Sequence, residues 1–406
     1  MKASGSFGGI ACCVALLCGA LLAPVARAEA VPSPVCSWAG ETDQRDVNIG
    51  APDSDAFYWL SPLVPASGQE MRITGSYPQA RYFSFHLYNE TGEALGSIYD
   101  REIEPLAGSA NPFLAKVRKG SGEDYEVTVR YEAPPADPAA NTLYAGAPSG
   151  APALLVYRVY VPDNPNEPQG SVPYPQITAA SEGGEPLVTD AACSTTPPAF
   201  GSVVWQAFAE GDWPEGLPST PVQEAEPEPR WQRAFGSRLG NQQNAYLEAV
   251  ISHRYGQLVV IHTRAPTFPN TRAGQPPYEP SQLRYWSFCS YDSGGEALVG
   301  CEADYHAAVE SHKLTYVVSD PAHRPADATA ADGVTWLPWG AQEGAQIVYR
   351  NMLPAADFPY AAESITSPEQ SAAQVMGAYY PTAVYCSTAT FEAGGWKGCF
   401  RAAGSG

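Results

Sequence analysis

The feature that most constrains this chain is that it repeats itself. Arg81-Tyr82-Phe83-Ser84-Phe85-His86-Leu87-Tyr88-Asn89 aligns with Arg284-Tyr285-Trp286-Ser287-Phe288-Cys289-Ser290-Tyr291-Asp292 at an offset of 203 residues. The register continues without a gap through Gly92-Glu93-Ala94-Leu95 and Gly295-Glu296-Ala297-Leu298. Tyr157-Arg158 and Pro162 match Tyr349-Arg350 and Pro354 at an offset of 192, and Gly68-Gln69 matches Gly256-Gln257 at 188. Asn141-Thr142-Leu143-Tyr144 and Val334-Thr335-Trp336-Leu337 lie between these blocks. Matching blocks in one order point to tandem duplication, in which one fold is used twice. The expected layout is a signal peptide at 1–30, a first β-domain at 31–205, a Pro/Glu-rich linker at 206–229 and a second β-domain at 230–406.

The dominant period within each copy is two. Arg81, Phe83, Phe85 and Leu87 fall on one face of an extended strand, and Tyr82, Ser84, His86 and Tyr88 on the other. Asn89 to Gly92 and Asp292 to Gly295 read as hairpin turns with Gly at the positive-φ position. Tyr125 to Val129 and Leu314 to Val318 are further strands, and the apolar run Leu154 to Val161, halted by Pro162, is a strand buried on both faces. One helix start is well signalled. Ser367-Pro368-Glu369-Gln370 offers an N-cap, a proline at the first helical position and a capping-box Gln ahead of Ala372 to Met376. With 37 Gly and 39 Pro, turns outnumber long helices. The fold class is mainly β, as two tandem antiparallel β-sandwich-like domains with long loops and few short helices.

The N-terminus directs the chain out of the cytoplasm. Lys2 precedes an apolar run from Ile10 to Ala23, and Ala26-Arg27-Ala28 and Ala28-Glu29-Ala30 both have the small-x-small form of a cleavage site. The run is too short for a comfortable membrane span, and no membrane span is expected after signal cleavage. Lys+Arg is 23 against Asp+Glu 43, a net charge of -20, which excludes the clustered cations that nucleic acid requires. The expected location is secreted or periplasmic. Cys36, Cys193, Cys289, Cys301, Cys386 and Cys399 follow the signal, and an even count in an oxidising compartment implies disulfides. No CxxC occurs to suggest a metal site. The pairing expected is Cys36–Cys193 across the ends of the first domain, with Cys289–Cys301 and Cys386–Cys399 closing local hairpins.

Arg284 to Asp292, Trp336-Leu337-Pro338 and the Tyr349-Arg350 strand ending at Pro354 together resemble a β-rich bacterial domain of unknown function. The first copy departs from that pattern, since Leu143-Tyr144 stands where Trp-Leu is expected. The resemblance implies a β-rich fold and carries over no catalytic residue.

The chain lacks HExxH, a GxSxG elbow, a Walker loop and a dinucleotide glycine pattern. Five of six histidines, His253, His262, His306, His312 and His323, lie in the second copy. Glu302, Asp304 and His306 alternate, so on a strand they share a face and form a possible acid–base or metal set, or simply a solvated edge. Arg81, Arg158, Arg284 and Arg350 recur in both copies, and an arginine in an apolar strand needs a partner. That partner is either a bound anion or an internal carboxylate such as Asp292 or Asp304, and recurrence favours the internal pair. Tyr285, Tyr291 and Trp336, with Arg284 and Arg350, are the candidate binding residues. The expected function is a non-catalytic binding or interaction protein for an extracellular or periplasmic ligand, polymer or protein. The alternative is an extracellular hydrolase or lyase built on Glu302, Asp304 and His306. No cofactor is indicated.

Overall fold

The computed structural model describes residue 38 and residues 41–42, 48–63, 69–114, 123–146, 153–181, 187–188 and 224–404. The expected signal peptide, the Cys36–Cys193 pairing and most of the Pro/Glu-rich segment lie outside these residues. The N-terminal half holds β1 (Glu41–Thr42), β2 (Ala56–Leu63), β3 (Gln69–Ser76), β4 (Ala80–Tyr88), β5 (Ala94–Tyr99), β6 (Asp124–Arg130), β7 (Thr142–Tyr144), β8 (Ala153–Pro162), β9 (Gln176–Ser181) and β10 (Leu187–Val188). The C-terminal half holds β11 (Gln232–Ala234), β12 (Asn244–Ser252), β13 (Leu258–Arg264), β14 (Leu283–Tyr291) and β15 (Leu298–Ala303). It continues with β16 (Val309–Glu310), β17 (Lys313–Ser319), β18 (Thr335–Pro338), β19 (Gly344–Pro354) and β20 (Thr382–Cys386).

Two sheets form in each half. The order β1-β2-β8-β4-β5 in the first half recurs as β11-β12-β19-β14-β15 in the second, antiparallel throughout. Each motif strand, β4 or β14, lies between a hairpin partner and the long apolar strand β8 or β19. The second sheets have the orders β10-β9-β3-β6-β7 and β16-β17-β13-β20, with β18 parallel on β17. Phe83, Phe85, Ile73, Tyr125, Val127 and Tyr157 close the first sandwich, and Trp286, Phe288, Ile261, Tyr316, Val318 and Tyr349 the second. Hairpin turns place Gly92 and Gly295 at φ 83° and 74°, a region that glycine enters without steric cost.

Every residue of β4, β8 and β14 is buried, so both faces of these strands are covered. One face meets its own sandwich. The other meets the opposite half, where Tyr82, Tyr160, Tyr285 and Met352 pack together, with Tyr160 and Tyr285 edge to face at 5.4 Å.

Three local expectations need correction. Cys289–Cys301 joins the β14–β15 hairpin as expected, but Cys386–Cys399 ties β20 to a helix, α2 (Thr388–Ala402), that the sequence reading did not include. Gly394, Gly395 and Gly398 obscured α2, which is kinked where Gly395 reaches φ 57°. The preceding helix α1 (Ala372–Met376) is capped by Ser371, four residues later than Ser367. Gln370 is occupied in accepting from the N–H groups of Thr366 and Ser367, which makes a turn ahead of the helix.

Candidate functional site

The four recurring arginines all act between the halves. Near Arg81 the β4–β8 register is interrupted, because Val161 takes φ 49° and sends its N–H to the Asp55 carbonyl. Leu353 does the same near Arg284, with φ 48° and its N–H on the Gln243 carbonyl. The irregularity frees each arginine from the alternation of its strand. Arg81 Nη1 donates to both Asp304 oxygens, at 2.5 and 2.6 Å, and Arg284 Nη1 donates to Asp100 at 3.3 Å and to the Arg81 carbonyl at 2.9 Å. Each aspartate also accepts the N–H of its own motif strand, Asp100 from Phe83 and Asp304 from Trp286. Burial raises the Asp304 carboxyl to about 6 although Arg81 pulls it down, and burial raises Asp100 as well. The pairs are a reciprocal brace, with each half supplying the anion for the other.

The loops at 48–55 and 237–243 are exchanged in the same way. Ala51 and Leu239, at φ 52° and 53°, donate to the carbonyls of Glu296 and Gly92 in the opposite hairpins. Tyr285 and Ser287 donate to the two oxygens of Asp53, at 2.7 and 2.6 Å. Tyr82 donates to Asn241 Oδ1 at 3.2 Å, and Tyr88 to the Gly240 carbonyl at 2.8 Å. Tyr291 donates to the Pro52 carbonyl at 2.8 Å.

Between these loops lies a cavity of about 360 Å³ lined from both halves. Arg158 on β8 and Arg350 on β19 both line it, 4% and 2% exposed, each donating through Nη2 to the loop of the other half: Leu239 O at 2.6 Å and Ala51 O at 2.7 Å. Each guanidinium lies over two tyrosines, Arg158 over Tyr58 and Tyr88, Arg350 over Tyr246 and Tyr291, at 5.4 to 5.6 Å. Burial pushes the Tyr58, Tyr88 and Tyr291 hydroxyls well up, so these rings are neutral.

The two ends of the cavity differ in charge. Arg350 has Asp53 Oδ2 at 3.8 Å, the Tyr291 hydroxyl at 2.6 Å and Cys289 Sγ at 3.0 Å, and Glu248 lines the same end. At the other end Asn241 stands where Asp53 stands, Leu60 where Glu248 stands, and His86 where Cys289 stands. No described carboxylate lies within ion-pair distance of Arg158, and its Nη1 is buried without a hydrogen-bond partner, as is Asn241 Nδ2.

The sequence candidates divide accordingly. Arg284, Tyr285, Tyr291 and Arg350 come together at the junction of the halves. Trp336 does not. It lies on β18, with its indole N–H on Ser319 and Arg324 over its ring at 4.5 Å. Glu302, Asp304 and His306 do not share a strand face, because β15 ends at Ala303 and Asp304 turns inward to Arg81. Glu302 and His306 remain as a part-exposed pair at 3.9 Å, and burial raises the Glu302 carboxyl. The other histidines are dispersed, His253 stacked on Trp339 and His262 on Trp396. Asp53, Cys289 and Cys301 are close enough to hold a metal, but both sulfurs are joined in the disulfide. Among the described residues no helix is long and apolar enough to cross a membrane.

Sequence reasoning missed Asp53, Arg158 as a cavity residue, Asn241 and the two exchanged loops. The offset of 188 seen at Gly68-Gln69 extends back to pair Tyr58 with Tyr246 and Asp53 with Asn241, and that extension was the available signal.

The sequence matches no family model and no curated protein. Among solved structures, an uncharacterised protein from Burkholderia cenocepacia is similar in fold, with a TM-score of 0.53 at 16% identity over 87% of this chain and 82% of the other. A Vibrio parahaemolyticus protein aligns at 11% identity over 84% of this chain and 91% of that one, with a TM-score of 0.41.

Proposed function

We propose that this is an exported, non-catalytic binding protein whose ligand is a small molecule held in the cavity between two copies of one β unit. The observation that carries the reading is the convergence of Arg158 and Arg350, with their tyrosines, on one cavity lined from both halves. Concave sites with mostly apolar walls and a few placed polar groups are the usual form of small-molecule sites, and about 360 Å³ is at the low end of their range. A polymer chain or a protein surface needs a longer groove. Support for two copies of one unit comes from the recurrence of strand order, register break and exchanged contacts at equivalent positions. The apolar leader and the two disulfides among the described residues fit a secreted or periplasmic location.

The hydrolase alternative has lost its third member, since Asp304 is committed to Arg81. A thermal-shift screen of small metabolites tests the binding reading, with Ala234→Trp as the control because Ala234 lines the cavity and is only part-buried. Compounds that raise the melting temperature of the wild type should fail to do so with Ala234→Trp. A screen without hits, or hits that stabilise both proteins equally, would overturn the reading.

A further inference from the structure

We infer that the Arg158 end of the cavity is an anion site, and that the ligand class is an amphiphilic monocarboxylate with its carboxylate on Arg158 and Asn241. This rests on reading the cavity as a ligand site and assigns the ligand's charge and direction within it. A guanidinium is protonated at any physiological pH, so its charge cannot be relieved by titration. An arginine this deeply buried is costly without a counter-charge. Arg350 has one in Asp53, whereas the equivalent residue facing Arg158 is the neutral Asn241.

The unmet demand is specific. Arg158 Nη1 and Asn241 Nδ2 are both donors, both buried, and neither has an acceptor. Other buried atoms also lack partners, but Arg233 and Arg272, each with an unpartnered Nε, are only part-buried side chains, and Arg81 Nη2 belongs to a guanidinium already neutralised by Asp304 and covered by Phe268 and Tyr285. A carboxylate offers two acceptor oxygens in one plane, which suits one arginine and one amide donor. The wall beside Arg158 is aliphatic, formed by Leu60, Val156 and Leu239, so the remainder of the ligand is apolar. At the far end Glu248 and Glu296 line the cavity and disfavour a second negative charge, so the ligand is a monoanion that enters in one direction.

Calorimetric titration with octanoate, with octan-1-ol as the uncharged comparison, tests this on the full mature protein. Wild type should bind octanoate at least tenfold more tightly than octanol. Arg158→Met and Asn241→Asp should each weaken octanoate at least tenfold and leave octanol unchanged. Asn241→Asp guards against misfolding, because it installs the carboxylate that Arg350 already has and should melt no lower than wild type. Equal binding of octanoate and octanol, or octanoate binding unchanged in both variants, would overturn the assignment. If neither probe binds at millimolar concentration while the metabolite screen yields cavity ligands, the anion assignment fails and the binding reading stands. If nothing binds at all, both fail.

Discussion

Arg81→Met is the sharpest test of the reciprocal brace between the halves. The substitution removes a guanidinium that is fully buried and leaves Asp304, also fully buried, with only the Trp286 N–H. Stranding one partner of a buried ion pair costs about 3–5 kcal/mol. In a body of this size each kcal/mol lowers the melting temperature by roughly 2 °C, so a fall of about 6–10 °C is expected at pH 7.5. The pH dependence identifies the cause. In the folded protein the Asp304 carboxyl already stands near 6, above its ordinary value, so its contribution to stability is greatest in acid and is lost as pH rises through that value. Removing Arg81 moves the folded value further up and deepens the loss at neutral pH. A neutral acid at pH 4.5 needs no counterion, so the gap between variant and wild type should narrow there. Arg81→Met with Asp304→Leu should recover most of the deficit, since a well-packed apolar pair can replace a buried ionic one. Calorimetric melts of all three proteins at both pH values decide it. A fall under about 2 °C, or a deficit equal at both pH values, would refute the brace.

Other outcomes follow from the same contacts. Arg350→Met should cost on the order of 3 kcal/mol by leaving the buried Asp53 without its cation, and an unchanged thermal melt would move Arg350 from framework to ligand contact alone. Burial raises the Glu363 carboxyl to about 8, so the stability tied to its protonated form is lost as pH rises through that value. Between pH 7.5 and 8.5 the buried His86 and the part-buried His262, both lowered by burial, are neutral when folded and nearly so when unfolded, and do not mask this. The melting temperature should therefore fall across that window, by at most about 1.4 kcal/mol of stability per pH unit, and Glu363→Gln should flatten the slope. A flat wild-type profile, or one unaltered in Glu363→Gln, would contradict it.

Much of the fold was legible because it is written in short-range pattern. Alternation fixed β4 and β14, glycine fixed the hairpin turns, and the spacing of Cys289 and Cys301 matched a hairpin that the strands required. The site was less legible because the two sets of matching blocks look alike. Pattern shows that Arg81 and Arg284 need carboxylates, and Asp304 was among those considered, but matching blocks do not say which one supplies the partner. Exchange between halves is a choice made by packing at long range. The Glu302, Asp304 and His306 grouping assumed a strand that continues, and β15 ends one residue before Asp304. The asymmetry that matters most, Asp53 against Asn241, lies in the sequence, but nothing in the pattern marks it before a buried arginine is seen to face each position.

A monoanionic ligand is expected between the halves, with its charge on Arg158, the arginine without a counter-charge. A crystal structure of the wild-type protein grown with octanoate tests this most directly. Density is expected inside the cavity, with the carboxylate oxygens about 3 Å from Arg158 Nη1 and Asn241 Nδ2 and the alkyl chain along Leu60 and Val156. Octanoate bound with its carboxylate at the Arg350 and Glu248 end, or found only on the outer surface with the cavity vacant, would contradict it.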